Sequence, residues 1–230
     1  MHKLLPGFIY QNFLENKFNG KVSASVLFVD IANSTYITDS YLQYGNKGAE
    51  ELSIVFNEIF DVIIEIIYSY KGFIAGFAGD SVTAVFEKNP EKSIIVADSI
   101  QKRIKAKAEN IEKQFAIPIK VKIGLSYGLI EWGILGTDNR KTYFFKGEPI
   151  DNSSLAERNC APDNIVIDNN YREFISKYKN FHLKYHEHNK KELFDVTNIQ
   201  IDKKMYFAEK HCGISQDFSV VKNFFSESFK

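Results

Sequence analysis

Apolar and polar positions change period several times along the chain, and each change marks an element. Residues 22–32, VSASVLFVDIA, are β-branched and aromatic and predict a buried strand. The polar cluster Asn33-Ser34-Thr35 behind it can cap a helix. From Gly48 to Tyr70 the residues Leu52, Val55, Phe56, Ile59, Ile63, Ile66 and Ile67 recur at intervals of three and four, which predicts a long helix stopped by Gly72. Two short β-like runs follow, 73–77 and 82–86, joined by Ala78-Gly79-Asp80-Ser81 as a tight hairpin turn. Pro90 fits the first turn of a second long helix. Its narrow stripe of Ile100, Ile104, Ala108, Ile111 and Phe115 runs beside KRIKAKAENIEK, a solvated face. Residues 119–135 and 142–146 return to strand character, and 150–159 predict a short helix. Strand, helix, hairpin, helix, strand is an α+β sandwich of the ferredoxin-like kind, with helices packed on a mostly antiparallel sheet. In the last quarter FHLKYHEH and KKELFDVT each fit a strand, and residues 202–230 have no clear period.

Composition adds bounds. A chain of 230 residues with 44% hydrophobic and 25% charged residues suits one domain with short appendages. The expected division is an N-terminal extension over 1–20 that packs on the domain, the domain itself over 21–200, and a tail or start of a linker over 201–230. The 29 Lys and Arg balance 29 Asp and Glu, so no long-range field draws in a polyanion. That disfavours nucleic acid or a membrane surface as partner and leaves room for a small anionic ligand. Leu52 to Tyr70 is long enough to span a bilayer, but Asn57, Glu58, Asp61 and Glu65 interrupt it, so it reads as a buried helix. The start MHKLLPGFIYQNFLENK is broken by Pro6, Gly7 and Gln11 and lacks a small-residue cleavage site, and a cytoplasmic location is expected. Cys160 and Cys212 read as two reduced thiols. His186 and His188 share a strand face without a third ligand and read as solvated.

The candidate chemistry rests on carboxylates. In the topology above, the first strand and the hairpin are neighbours, so Asp30 and Asp80 converge on one edge of the sheet. Two such groups repel unless a cation lies between them, and magnesium suits the pair because it fills its other positions with water and phosphate oxygens. The backbone N–H groups of Asn33, Ser34 and Thr35 would offer donors to a polyphosphate, and Gly79 lets the hairpin approach closely. The plain alternative, two surface acids at a strand end and a turn, stands beside this reading at this point.

LFVDIANST, GFAGDSVTAVF, VKIGLSYGLI and FFKGEPID, in that order, resemble a class III nucleotide cyclase catalytic domain. The similarity, which includes the GAEEL helix start, is to the first cyclase domain of soluble, bicarbonate-responsive adenylyl cyclases and covers residues 8 to about 170. The resemblance implies the same ferredoxin-like fold. It also implies two Mg²⁺ or Mn²⁺ ions on Asp30, Asp80 and the backbone carbonyl of Ile31, and conversion of a nucleoside triphosphate, ATP foremost, to a 3′,5′-cyclic nucleotide and pyrophosphate. It further implies a head-to-tail pair of cyclase domains.

The second half of that family's site is absent. Gly76 stands where the base-binding Lys would be, Phe144 at the base-selecting Asp or Thr, Asp151 at the ribose-orienting Asn and Leu155 at the transition-state Arg. Loss of one donor aimed at developing charge costs about a hundredfold to a thousandfold in rate, so two copies of this chain would make a silent site. Arg158, one helical turn past Leu155, is the only nearby substitute. The resemblance therefore points to the metal-bearing half of an enzyme, completed by a complementary domain in cis or in trans. Arg140 and Lys141 read either as triphosphate contacts or as solvated loop cations. Trp132 and Tyr127 read as core and interface residues. The bicarbonate site of the related cyclases would need the Lys replaced by Gly76 and an Arg that aligns with Ser154, so direct bicarbonate activation is not expected. Two further readings stay open: a silent regulatory module, and a homodimeric cyclase of altered, pyrimidine preference.

Overall fold

The computed structural model describes residues 5–137, 140–176, 181–188, 191–199 and 216–224. Strand β1 (Asn19–Ile31) is followed by helices α2 (Ser34–Leu42) and α3 (Gly45–Ser69), the hairpin β2 (Phe73–Ala78) and β3 (Ser81–Phe86), helix α4 (Lys92–Phe115) and the long strand β4 (Val121–Gly136). The sheet runs β2-β3-β1-β4, antiparallel at each step, which is the ferredoxin-like order. Helix α1 (Gly7–Leu14) precedes this core. Strand β5 (Lys141–Lys146), helix α5 (Glu148–Arg158), strand β6 (Ile165–Asp168), helix α6 (Asn169–Ile175) and strands β7 (Phe181–His188) and β8 (Lys191–Ile199) follow it. Helix α7 (Phe218–Val221) comes after them. β6 joins β4 in parallel, the one parallel pairing among the described strands, and carries the sheet on to β8 and β7.

Strand alternation divides the core into two faces. Leu27, Val29 and Ile31 of β1, Val82, Ala84 and Phe86 of β3, and Ile123 and Leu125 of β4 meet Val55, Ile59, Ile63 and Ile67 of α3 and Ile100, Ile104 and Ile111 of α4. Each such side chain contributes about 1.5–3 kcal/mol by leaving water, so this layer dominates the stability. Of the predicted stripe on α4, Ile100, Ile104 and Ile111 are buried and Ala108 and Phe115 half-buried, and the first turns from Ser93 to Asp98 are buried as well. Ser25 turns into the same layer and bonds Ser93 of α4, which bonds the hydroxyl of buried Tyr171 on α6, both at 2.8 Å. The network satisfies hydroxyls that burial would otherwise leave costly.

The opposite face, with Ala24, Val26, Phe73, Val85 and Ile130, is covered in two places. Phe8 of α1 stacks on Phe73 at 5.2 Å and meets Trp132 edge-on. Helix α5 lies over β4, where Gly124 and Gly128 leave room for the α5 backbone and Pro149. Back on the α3–α4 side, Tyr127, expected in the core or an interface, stacks on Phe174 of α6.

Two local expectations differ from what is observed. Asn33 precedes α2 with φ of 59° and makes no side-chain cap bond, because its left-handed backbone turns the side chain away from the N–H groups it would cap. Pro90 lies in a turn ahead of α4, which begins at Lys92; the N–H groups of Lys92 and Ser93 bond Asn89 and Pro90 carbonyls. The parallel β6 had no reading of its own, since four buried residues carry no period. No helix among the described residues is long and apolar enough to cross a membrane.

Candidate active site

Asp30 is the penultimate residue of β1, and its ladder partners are Ser81 at the start of β3 and Lys122 of β4. Asp80 immediately precedes Ser81 in a turn closed by Gly79, whose φ of +62° favours a residue without Cβ. The strand register thus brings the two carboxylates to the same edge. Burial above all, then the negative charges of Glu157 and Asp80, push the Asp30 carboxyl up to about 6, against the pull of Lys122. The Lys122 ammonium stands 3.4 Å from Asp30 Oδ2 and pairs closely with Oε1 of Glu157 on α5. Burial lowers the Lys122 pKa, but its bonds to Glu157 and Asp30 outweigh that and hold it above the ordinary lysine value.

Lys122 and Glu157 were not singled out in the sequence. A signal existed for each: Lys122 interrupts an apolar strand, and Glu157 lies between the apolar helix positions Ala156 and Cys160. Both are weak signals, because strand register and helix docking decide whether such charges meet.

The donor set can be tested against a metal. Among the described residues no three His, Cys, Asp or Glu side chains gather into a ligand group. Two mutually repelling carboxylates, with the Ile31 carbonyl at the strand end, suit a hard divalent ion that takes its other ligands from water and phosphate. They do not make a closed site of the zinc kind.

The remaining candidates are placed as follows. Asn33 and Thr35 are exposed and Ser34 is half-buried, all at the β1–α2 junction directly after Ile31. Arg140 and Lys141 lie at the other end of β4, Lys141 opposite Gly136 and 5.9 Å above the ring of Phe13. Thirteen residues of β4 lie between Lys122 and Gly136, some tens of ångström at about 3.3 Å per residue, so within one chain these cations and the carboxylates are not brought together. Gly76 pairs with Thr83 beside a bulge, and a Cβ there would meet nothing within 4 Å. Phe144 packs its ring edge on Gly133. Asp151 is exposed on the first turn of α5, Leu155 is half-buried and Arg158 is exposed at its last turn. The backbone of β7 places His186 opposite Leu193 and His188 opposite Lys191. Cys160 is buried and unpaired, whereas Cys212 lies outside the described residues.

Residues 17–207 match the family model of the adenylate and guanylate cyclase catalytic domain. The chain belongs to this family. Among curated relatives, adenylate cyclase type 10 of Mus musculus is 29% identical over 168 residues, covering 70% of this chain, and its Homo sapiens counterpart is 28% identical over the same length. The chain spans about a tenth of the length of these relatives. Among solved structures, the adenylyl cyclase CyaB from P. aeruginosa superposes with a TM-score of 0.68 at 18% identity, covering 79% of this chain and 97% of that one. A bacterial light-regulated adenylyl cyclase gives 0.69 at 19% identity, covering 88% and 60%. These likenesses carry the fold: a cyclase catalytic domain built on a mixed sheet with helices packed against it.

Proposed function

We propose that this cyclase domain is the metal-bearing half of a nucleotide cyclase and acts with a complementary cyclase domain, in cis or in trans, on a nucleoside triphosphate, ATP foremost. The observation that carries the reading is the Asp30–Asp80 pair, drawn together by the β1–β3 register, in a chain whose base and transition-state positions hold Gly76, Phe144, Asp151 and Leu155. Asp30, Asp80 and the Ile31 carbonyl would hold two Mg²⁺ or Mn²⁺ ions. When bound, these ions would lower the pKa of the ribose 3′-hydroxyl and neutralise the departing pyrophosphate.

In this reading the 3′-hydroxyl gives up its proton to water, the bond from O3′ to the α-phosphorus forms, and the bond from that phosphorus to the pyrophosphate oxygen breaks. The protein's own groups bind and orient. The N–H groups of Asn33, Ser34 and Thr35 and the open backbone at Gly79 would offer donors to the phosphates, and the Lys122 ammonium beside Asp30 adds a positive charge next to the carboxylate pair. Arg140 and Lys141, at the far end of β4, do not reach this carboxylate pair within one chain. No side chain serves as a covalent nucleophile.

The test is cyclic-nucleotide formation from ATP, GTP, CTP and UTP with Mg²⁺ or Mn²⁺, using the chain alone and mixed with a base-binding cyclase domain, and Asp30→Ala and Asp80→Ala as controls. Activity in the mixture alone, abolished by either substitution, is the expected result. Turnover by the chain alone would refute the half-site and direct attention to Arg158. Silence in every mixture with nucleotide still bound would leave a regulatory module.

A further inference from the structure

The charge cluster contains one buried carboxylate that the proposed reaction does not use. Glu157 is 4% exposed, and its described ionic partner is Lys122. A lone ionised carboxylate at such a site is costly, so the ammonium is drawn firmly to it. Toward Asp30 the same ammonium makes a second, longer ion pair at 3.4 Å, looser than the roughly 2.7–2.9 Å of a tight charge-assisted bond. An ammonium and a divalent ion compete for the same oxygens, and here the ammonium is shared, held more closely by Glu157 than by Asp30. The holding post is on α5, which reaches this position only because Gly124 has no side chain.

We infer that Glu157 is a positioning residue that draws the Lys122 ammonium toward α5, loosens its ion pair with Asp30 and so eases the entry of a divalent ion between the two carboxylates. The seating of α5 on β4 is thereby coupled to metal affinity. The inference rests on the reading that Asp30 and Asp80 bind the ion, and it concerns how that binding is set.

The experiment is Mn²⁺ binding to the full chain, followed by the electron paramagnetic resonance signal of free Mn²⁺, with no turnover required. Glu157→Gln, Lys122→Met and the double variant are compared, each checked for native near-ultraviolet circular dichroism. Glu157→Gln gives Lys122 to Asp30 alone and is expected to weaken Mn²⁺ binding about tenfold. In the Lys122→Met background the same substitution is expected to change it by about twofold or less, because no ammonium remains to be held. Lys122→Met by itself tightens binding. Equal weakening by Glu157→Gln in both backgrounds would show that Glu157 acts by its own charge and would overturn the inference, as would no weakening in either. If Glu157→Gln does not fold, Glu157→Asp, which keeps the charge but withdraws it by one methylene, replaces it in the same two backgrounds, and unchanged Mn²⁺ binding in the Lys122 background overturns the inference. A wild-type chain that binds no Mn²⁺, with or without nucleotide, overturns both this inference and the metal-bearing reading; binding with a flat cycle overturns only the role of Glu157.

Discussion

Gly124 of β4 lies directly beneath Glu157 of α5, so close that a Cβ on Gly124 would stand 2.5 Å from the Glu157 nitrogen and overlap the carbonyl oxygen of Ser153. This contact lets a helix backbone rest on the sheet and brings a carboxylate to the Asp30 edge. Both obstructing atoms are backbone, so relief requires the helix to move. Gly124→Ala is expected to cost about 1–3 kcal/mol, the range for overpacking a filled site. Urea denaturation of the two proteins measures it, and an unchanged midpoint would show that α5 shifts freely.

The pH dependence of the metal-free chain follows from Asp30, whose carboxyl rises from 3.8 to about 6 on folding, through burial first and the charges of Glu157 and Asp80 next. Below about pH 4 the group is protonated in both states; between about 4 and 6 the folded state keeps a proton that the unfolded state gives up. The Asp30 contribution to stability is therefore full at low pH and lost as pH rises through about 6. Thermal unfolding with chelator present, compared between wild type and Asp30→Asn, is expected to show this slope in the wild type and its disappearance in the variant.

Tyr171 ends the buried hydroxyl chain that passes through Ser93 to Ser25. Tyr171→Phe removes one partner while Ser93 and Ser25 keep each other, so the expected loss is about 1 kcal/mol. Chemical denaturation measures it, and a loss several times larger would mean that the three hydroxyls act as a unit.

Burial, more than any charge, pushes the Cys160 thiol up to about 12. The thiolate is the reactive form, so Cys160 should resist alkylation at pH 8 in the native protein and react at once in denaturant. A Cys212→Ser variant isolates it. Rapid labelling under native conditions would show that the pocket of Ala156, Val166 and Leu193 around it opens.

The elements of the core were legible because their signals are local. The helix from Gly48 to Tyr70 is visible in the spacing of Leu52, Val55, Ile59 and Ile63, and a helix that must bury one stripe needs that spacing wherever it packs. The hairpin was legible for a similar reason, since Gly79 supplies the turn conformation that the short connection requires. The Asp30–Asp80 convergence followed from topology. Less visible were α1, whose eight residues announce no partner until Phe8 meets Phe73 and Trp132, and β6, whose four residues are too short to show a period.

By itself, then, the sequence determined the type and order of the core elements, the family likeness and the presence of two acids beside absent base-binding residues, because period, turn chemistry and motif are properties of neighbouring residues. Only the tertiary structure decided that Lys122 faces Asp30, that Glu157 holds Lys122, and that Arg140 and Lys141 lie away from both. Strand register and the docking of α5 over Gly124 join residues far apart in the chain, and a shift of one residue in β4 would have sent Lys122 to the other face of the sheet.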